Sequence, residues 1–206
     1  MSYTLKKNPL LYNYTLSDTA IQRTSTLCDL GVTFDLQLTF VAHMDNKISE
    51  ANRIYGFIVR NCRDFTQTAT LKVLYYAYVR SKLEYACLVW NPHHIIHINR
   101  IECVQRRFLK YLSLKVDSTY PPVGIPHELL LERHLVSSLE ARRTIQSVIM
   151  LFKLINNLAD NCYISNQLMF NVPRLASRQN ITFYLPAART NYLYFSPLFT
   201  MCRNYN

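Results

Sequence analysis

Ile98-Asn-Arg-Ile-Glu-Cys-Val-Gln-Arg-Arg-Phe-Leu-Lys-Tyr-Leu112 is the stretch whose reading decides the fold class. Ile98, Ile101, Val104 (or Gln105), Phe108 and Leu112 recur every three or four residues, which places them along one side of a helix. Arg100, Arg106, Arg107 and Lys110 load the remaining circumference with positive charge. The same period recurs on either side. Upstream, Leu71, Leu74, Tyr75, Tyr78, Val79 and Leu83 predict a helix opened by Thr66 and ended near Trp90, because Asn91-Pro92 disfavours continuation. Further upstream, Met44, Ile48, Ala51, Tyr55, Ile58 and Cys62 predict another, opened by Thr39. Lys47, Arg53, Arg60 and Arg63 lie mostly off its apolar stripe. Downstream, residues 117–126, with Pro121-Pro122 and Gly124, read as a linker. Ser138 then caps a fourth helix with Leu139, Arg142, Ile145, Ile149, Phe152 and Ile155 at helical spacing.

Residues 11–34 have a different period. Leu11-Tyr-Asn-Tyr-Thr-Leu16 alternates, Ser17-Asp18-Thr19 offers a turn, and the run from Ala20 to Thr26 resumes, which predicts a hairpin. Leu30-Gly31-Val32-Thr33-Phe34 is a third short β-like run. After Asp160 the pattern dissolves, and 161–206 read as irregular with one or two short strands. The expected architecture is mainly α: an N-terminal β-hairpin, a helical bundle and an irregular C-terminal tail. The expected divisions are 1–40, 41–115, 116–160 and 161–206. Only three glycines occur, which suits long helices with few tight turns, and half the residues are hydrophobic, enough for a sizeable core.

The charge is uneven. The net charge is +10 overall, yet residues 1–40 are neutral, residues 41–115 carry +7 and residues 116–206 carry +3. A basic balance of this size favours a polyanionic partner, with nucleic acid the common one, and the middle segment is where it should sit. The 15 tyrosines either pack in a core or offer faces for base stacking.

Other chemistries find little support. The six cysteines are irregularly spaced with no CxxC pair and read as free, mostly buried thiols. His93, His94 and His97 cluster after Pro92, but no further ligand is suggested and a helix-start polar cluster is the simpler reading. No nucleophile-elbow pattern accompanies the serines, so a hydrolase is not supported. No two acidic residues are adjacent anywhere in the chain. Asp29 and Asp35 read as solvated turn residues. Met1 to Leu10 hold no apolar segment of signal-peptide length and no run of 18 apolar residues exists, so the expectation is an intracellular chain, nuclear or cytoplasmic, without a membrane span.

Three stretches together carry a resemblance. They are Asp29-Leu-Gly-Val-Thr-Phe-Asp35 with Leu38-Thr-Phe40 and His43; Leu74-Tyr-Tyr-Ala-Tyr-Val-Arg-Ser-Lys-Leu-Glu-Tyr-Ala86 running into Val89-Trp-Asn-Pro92; and Ile98 to Leu109. Leu139-Glu-Ala-Arg-Arg143, Phe170-Asn-Val-Pro-Arg174, Arg189-Thr-Asn-Tyr192 and Met201-Cys-Arg-Asn-Tyr205 continue it. In this order and spacing they resemble the C-terminal part of the reverse transcriptase of jockey-like LINE elements, the non-LTR retrotransposons.

The resemblance implies a role for most of the chain. Leu30 and Gly31 match a turn in the hairpin at the palm–thumb junction that helps hold the primer end; an ordinary tight turn is the alternative. The helices after it match the thumb, which grips an RNA-template and DNA-primer duplex through its phosphates, a task for Lys and Arg on helix faces. Lys47, Arg53, Arg60, Arg100, Arg106, Arg107 and Lys110 are the candidates, each alternatively a solvated charge or a helix-surface ion pair. Polymerisation needs two magnesium ions held by aspartates that include an adjacent pair. By resemblance those lie in a palm upstream of the matched region, with Met1 falling near the palm's end, around Lys6-Lys7-Asn8-Pro9. The endonuclease of such elements has no counterpart here. No catalytic residue, cofactor or metal site is therefore expected in this chain, and the missing palm would be its protein partner. The alternatives are a stand-alone basic module that binds RNA or DNA without sequence choice, and a translated relic without a selected role.

Overall fold

Two short hairpins precede the helices. The computed structural model describes Met1, Tyr3 and residues 12–172 and 181–206. Of the expected segments, Leu11, Lys6-Lys7-Asn8-Pro9 and Pro173-Arg174 lie outside the described residues. Strands β1 (Thr15–Leu16) and β2 (Thr19–Ala20) pair antiparallel around Ser17 and Asp18. Strands β3 (Thr26–Asp29) and β4 (Val32–Asp35) pair around Leu30 and Gly31. In both turns the two central residues have positive φ, 46° and 64° in the first and 46° and 78° in the second. That is the turn geometry whose twist matches the flanking strands. The run expected to start at Leu30 therefore starts at Val32, because Leu30 and Gly31 form the turn.

Asp35 ends the second hairpin and organises the passage into the first helix. Its carboxylate accepts from the backbone N–H groups of Gln37 (3.1 Å), Thr39 (2.8 Å) and Phe40 (3.0 Å), and from the Thr39 hydroxyl (2.5 Å). It is thus a structural acceptor rather than a solvated turn residue. It also displaces the expected cap: with Thr39 turned back to Asp35, Phe40 takes the N-cap position of α1 (Val41–Asn61) in the left-handed region. Along α1 the stripe expected from sequence does face the core. Met44, Ala51, Ile58 and Cys62 are buried, and Ile48 and Tyr55 pack against them.

The second helical stretch departs from regular geometry. Helix α2 (Thr68–Leu74) is capped by Gln67 rather than Thr66. It passes into a π-helical segment, Tyr75–Arg80, then α3 (Ser81–Glu84), a break at Tyr85 and Ala86, and α4 (Cys87–Trp90). Leu71, Tyr75, Val79 and Leu83 are all buried. Strict four-residue spacing drifts around an α-helix of 3.6 residues per turn; the wider π turn takes up the drift and holds these side chains on one side. It also turns Tyr78 outward, against the expectation that it faces the core.

Helix α5 (Ile95–Asp117) is the centre of the bundle, with Ile101, Val104, Gln105, Phe108, Leu109, Tyr111 and Leu112 all buried. It runs parallel to α1. Arg100 meets Asp45 at 2.7 Å, Arg107 donates to Asn52 at 3.0 Å, the Tyr55 hydroxyl donates to the Arg107 carbonyl, and the Tyr111 hydroxyl donates to the Cys62 carbonyl. The numbers rise together on both helices, which only a parallel pair allows. Inside, the Tyr75 and Phe108 rings stack with centres 4.0 Å apart and planes nearly parallel, at 6°. The Tyr75 hydroxyl donates to Gln105 Oε1 (3.1 Å), and Gln105 Nε2 donates to the Ser137 carbonyl (2.9 Å).

The expected linker ends in a helix that sequence periodicity did not show, α6 (His127–His134), and it packs on α5. His134 bonds Ser113 (2.8 Å), His127 bonds Glu102 (3.2 Å), and Leu130 is buried. Ser138 caps α7 (Leu139–Ile155) as expected, accepting from the Ala141 N–H. Glu102 accepts the neighbouring Glu140 N–H at 2.8 Å, so two side chains satisfy that helix start. The inward face of α7 is not the expected one. Leu139, Arg143, Ser147, Leu151 and Leu154 are buried, whereas Ile145 (55% exposed), Ile149 (46%) and Phe152 (59%) face outward. The reason is the C-terminal segment. After the short helices α8 (Cys162–Ser165) and α9 (Asn191–Tyr194), helix α10 (Pro197–Tyr205), absent from the sequence expectation, covers the other side of α7. Leu151, Leu154, Phe183, Met201 and Cys202 form a second, smaller core there. The rest of 161–206 is largely irregular, with one β-bridge between Phe170 and Phe183 among the described residues. The fold is mainly helical with an N-terminal hairpin region. No described helix is long and apolar enough to cross a membrane.

Candidate nucleic-acid interface

The α1–α5 pair gathers most of the candidate cations on one outer surface. Seven residues are two helical turns to within about 20°, so Arg53 and Arg60 share one side of α1. That side points away from the buried Ala51 and Ile58. Arg106 and Lys110, four apart, share the side of α5 that points away from Ile101, Phe108 and Leu112. Arg100 and Arg107 lie along the seam between the two helices.

Partners divide these residues into two groups. Lys47 pairs with Glu50 (3.4 Å), which also holds Lys82 (3.0 Å), on the flank of α1 toward α3. Arg100 pairs with Asp45. Arg107 binds only a neutral amide, that of Asn52. Arg53, Arg60, Arg106 and Lys110 make no hydrogen bond or ion pair among the described residues. The first three are exposed and Lys110 is half-buried. These four have no partner to give up on meeting a phosphate, whereas Lys47 and Arg100 would first break exposed ion pairs worth at most about 1 kcal/mol each.

The hairpin stands at one end of this surface. Thr33 N–H donates to His43 Nδ1 (3.2 Å), which ties β4 to the first turns of α1, and Val32 is buried. Arg53 lies about 15 Å further along the helix axis and Arg60 about 25 Å. The structure therefore separates Leu30 and Gly31 from the basic surface. Leu30 projects to solvent at 84% exposure, while its carbonyl accepts from the Tyr85 hydroxyl at 2.8 Å. Tyr85 sits at the break before α4, and its own carbonyl accepts from the Trp90 indole at 2.8 Å. The sequence carries no signal for that brace, because Tyr85 falls off every apolar stripe.

His43 makes the hairpin's attachment sensitive to pH. Nδ1 accepts the Thr33 proton only in the neutral ring. Burial, with Lys47 nearby, holds the His43 pKa below its usual 6.5. Burial together with Lys72 and Arg133 does the same at His134. As pH falls below about 6.5 the unfolded chain therefore takes up protons before the folded one does. Stability present above that value is lost as pH drops through the folded values. Urea midpoints are expected to fall steadily from pH 7 to pH 5; a constant midpoint over that range would contradict the assignment.

The magnesium chemistry implied by the resemblance has no ligand set among the described residues. No group of three or more His, Cys, Asp or Glu side chains is placed there to hold a metal ion. Asp35 is occupied by loop N–H groups and Asp45 by Arg100. His93, His94 and His97 lie around the start of α5, and His93 stacks on Phe195 with ring centres 4.1 Å apart. No family model, no curated protein and no solved structure matches this chain.

Proposed function

We propose that this chain is the template–primer-gripping part of an RNA-directed DNA polymerase of the jockey-like non-LTR retrotransposon kind, and that it acts on nucleic-acid backbone without performing the chemistry. The observation that carries the reading is the set of four unpaired cations, Arg53, Arg60, Arg106 and Lys110, on the parallel α1–α5 surface. Its elements suit phosphate contact: flexible cationic ends on rigid helices. The segments that resemble the polymerase thumb include both helices. Magnesium and the aspartates that hold it belong, on this reading, to a palm outside the matched region. A basic module acting alone would use the same surface.

The test is a titration of the purified chain against a 20-base-pair RNA–DNA hybrid in rising salt. Four phosphate contacts predict a loss of about 150-fold in affinity between 50 and 200 mM monovalent salt. Hybrids of unrelated sequence should bind alike. Affinity that is flat with salt, or strong discrimination among sequences, would overturn the reading.

A further inference from the structure

A cavity of about 30 Å³ lies where α4, α7 and the first turn of α10 meet, and Cys87, Asn91, Arg143, Ser147, Pro197 and Thr200 are among its lining residues. Arg143 is only 2% exposed, and none of its three guanidinium nitrogens has a hydrogen-bond partner among the described residues. An isolated buried cation is among the costliest features a fold can hold.

All thirteen acidic residues fall within the described residues, and none pairs with Arg143. The carboxylates that influence it most are Glu102, Glu140 and Glu84. Glu102 is bound by His127 and the Glu140 N–H, and Glu84 by Arg142 and Arg80. The Cys87 thiol is pushed up to about 11 by burial, so it is neutral near pH 7; it donates to Gln146 Oε1. Burial also pulls the Arg143 pKa down, but a guanidinium starts high enough to remain charged.

A second feature faces the same space. Pro197 and Thr200, in the first turn of α10, line the cavity. Ser196 precedes that helix but turns its hydroxyl back to the Leu193 carbonyl (2.8 Å) and does not cap it. Pro197 has no N–H and the Thr200 N–H is taken by the Ser196 carbonyl (2.9 Å), so this turn offers the cavity the Thr200 side chain rather than open backbone donors. We propose that this cavity binds one small oxyanion of the inorganic phosphate class, held by the Arg143 guanidinium fork with the Thr200 side chain of α10 beside it. The bound ion would join α10 to α7 and so fasten the C-terminal segment to the bundle.

The experiment is thermal unfolding and calorimetry of the full chain with inorganic phosphate, against chloride at matched ionic strength. Phosphate should raise the melting temperature saturably, by about 5–10 °C at a hundredfold excess over half-saturation. In Arg143→Met the response should vanish, with melting in the absence of phosphate unchanged or higher, since an unpaired charge has gone. Arg106→Gln/Lys110→Gln should respond like the parent chain, which separates this site from the helical surface proposed to grip nucleic acid. The proposal is overturned if phosphate gives no saturable rise, if chloride gives the same rise, or if Arg143→Met responds undiminished. Should Arg143→Met fail to fold, calorimetry of the parent chain decides: one phosphate per chain, unaffected by the Arg106/Lys110 pair, supports the site, and no binding rejects it.

Discussion

Replacing Arg53, Arg60, Arg106 and Lys110 together by glutamine is expected to lower affinity for an RNA–DNA hybrid on the order of a thousandfold at 0.1 M salt. The magnitude comes from counterion release. Each phosphate neutralised contributes a slope of about −0.9 in log affinity against log salt, so four lost contacts flatten the slope by roughly 3.6. The four side chains make no hydrogen bond or ion pair among the described residues, so melting should stay close to that of the parent chain. The matched control is Lys47→Gln with Arg100→Gln. These cations are already paired with Glu50 and Asp45, and their loss should change affinity far less. A fourfold variant that binds within a few-fold of the parent would remove the α1–α5 surface from consideration.

Phe108→Ala is expected to cost about 3–5 kcal/mol of stability. For a chain of this size that corresponds to a fall of roughly 6–20 °C in melting temperature. Phe108 is 1% exposed and stacks on Tyr75 between α5 and the π-helical segment. Its removal leaves a void and also frees the Tyr75 ring, whose hydroxyl leads through Gln105 to the Ser137 carbonyl just before α7. One truncation therefore reaches three helical elements. Phe152→Ala supplies the contrast. That ring is 59% exposed, and the change should stay within about 0.5 kcal/mol. Equal losses in the two variants, read from denaturant midpoints, would contradict the assignment of core and surface.

The contrast between Phe108 and Phe152 shows where periodicity is informative. Around α5 the apolar residues have packing partners on several sides, so the stripe through Ile101, Phe108 and Leu112 coincides with the buried face. On α7 the strongest apolar stripe runs through Ile145, Ile149 and Phe152 and faces out. The inner face includes Arg143 and Ser147, and Ser147 accepts from Asn204 of α10 at 2.9 Å. A polar core face is invisible to a hydrophobic pattern, and α10 itself is too short and mixed to stand out. The π turn is hidden for another reason. The spacing of Leu71, Tyr75, Val79 and Leu83 fits a helix of either kind, and only the outward Tyr78 distinguishes them. Within the candidate interface the cationic helices can be read directly from the chain. Among neutralised cations only the local pair Lys47–Glu50 can be read that way, since Arg100–Asp45 and Lys82–Glu50 join residues 32 or more positions apart.

Helix α7 belongs to both apolar clusters: Leu139 lies in the larger one, and Leu151 and Leu154 in the smaller one closed by Phe183 and Met201. It works as a beam resting on two supports of unequal strength. The weaker support rests on few buried side chains, so opening there exposes little apolar surface and leaves the stronger one intact. Damage or heat would therefore first produce a shortened but still folded bundle, with the cationic surface of α1 and α5 preserved and the C-terminal end of the chain open to proteases.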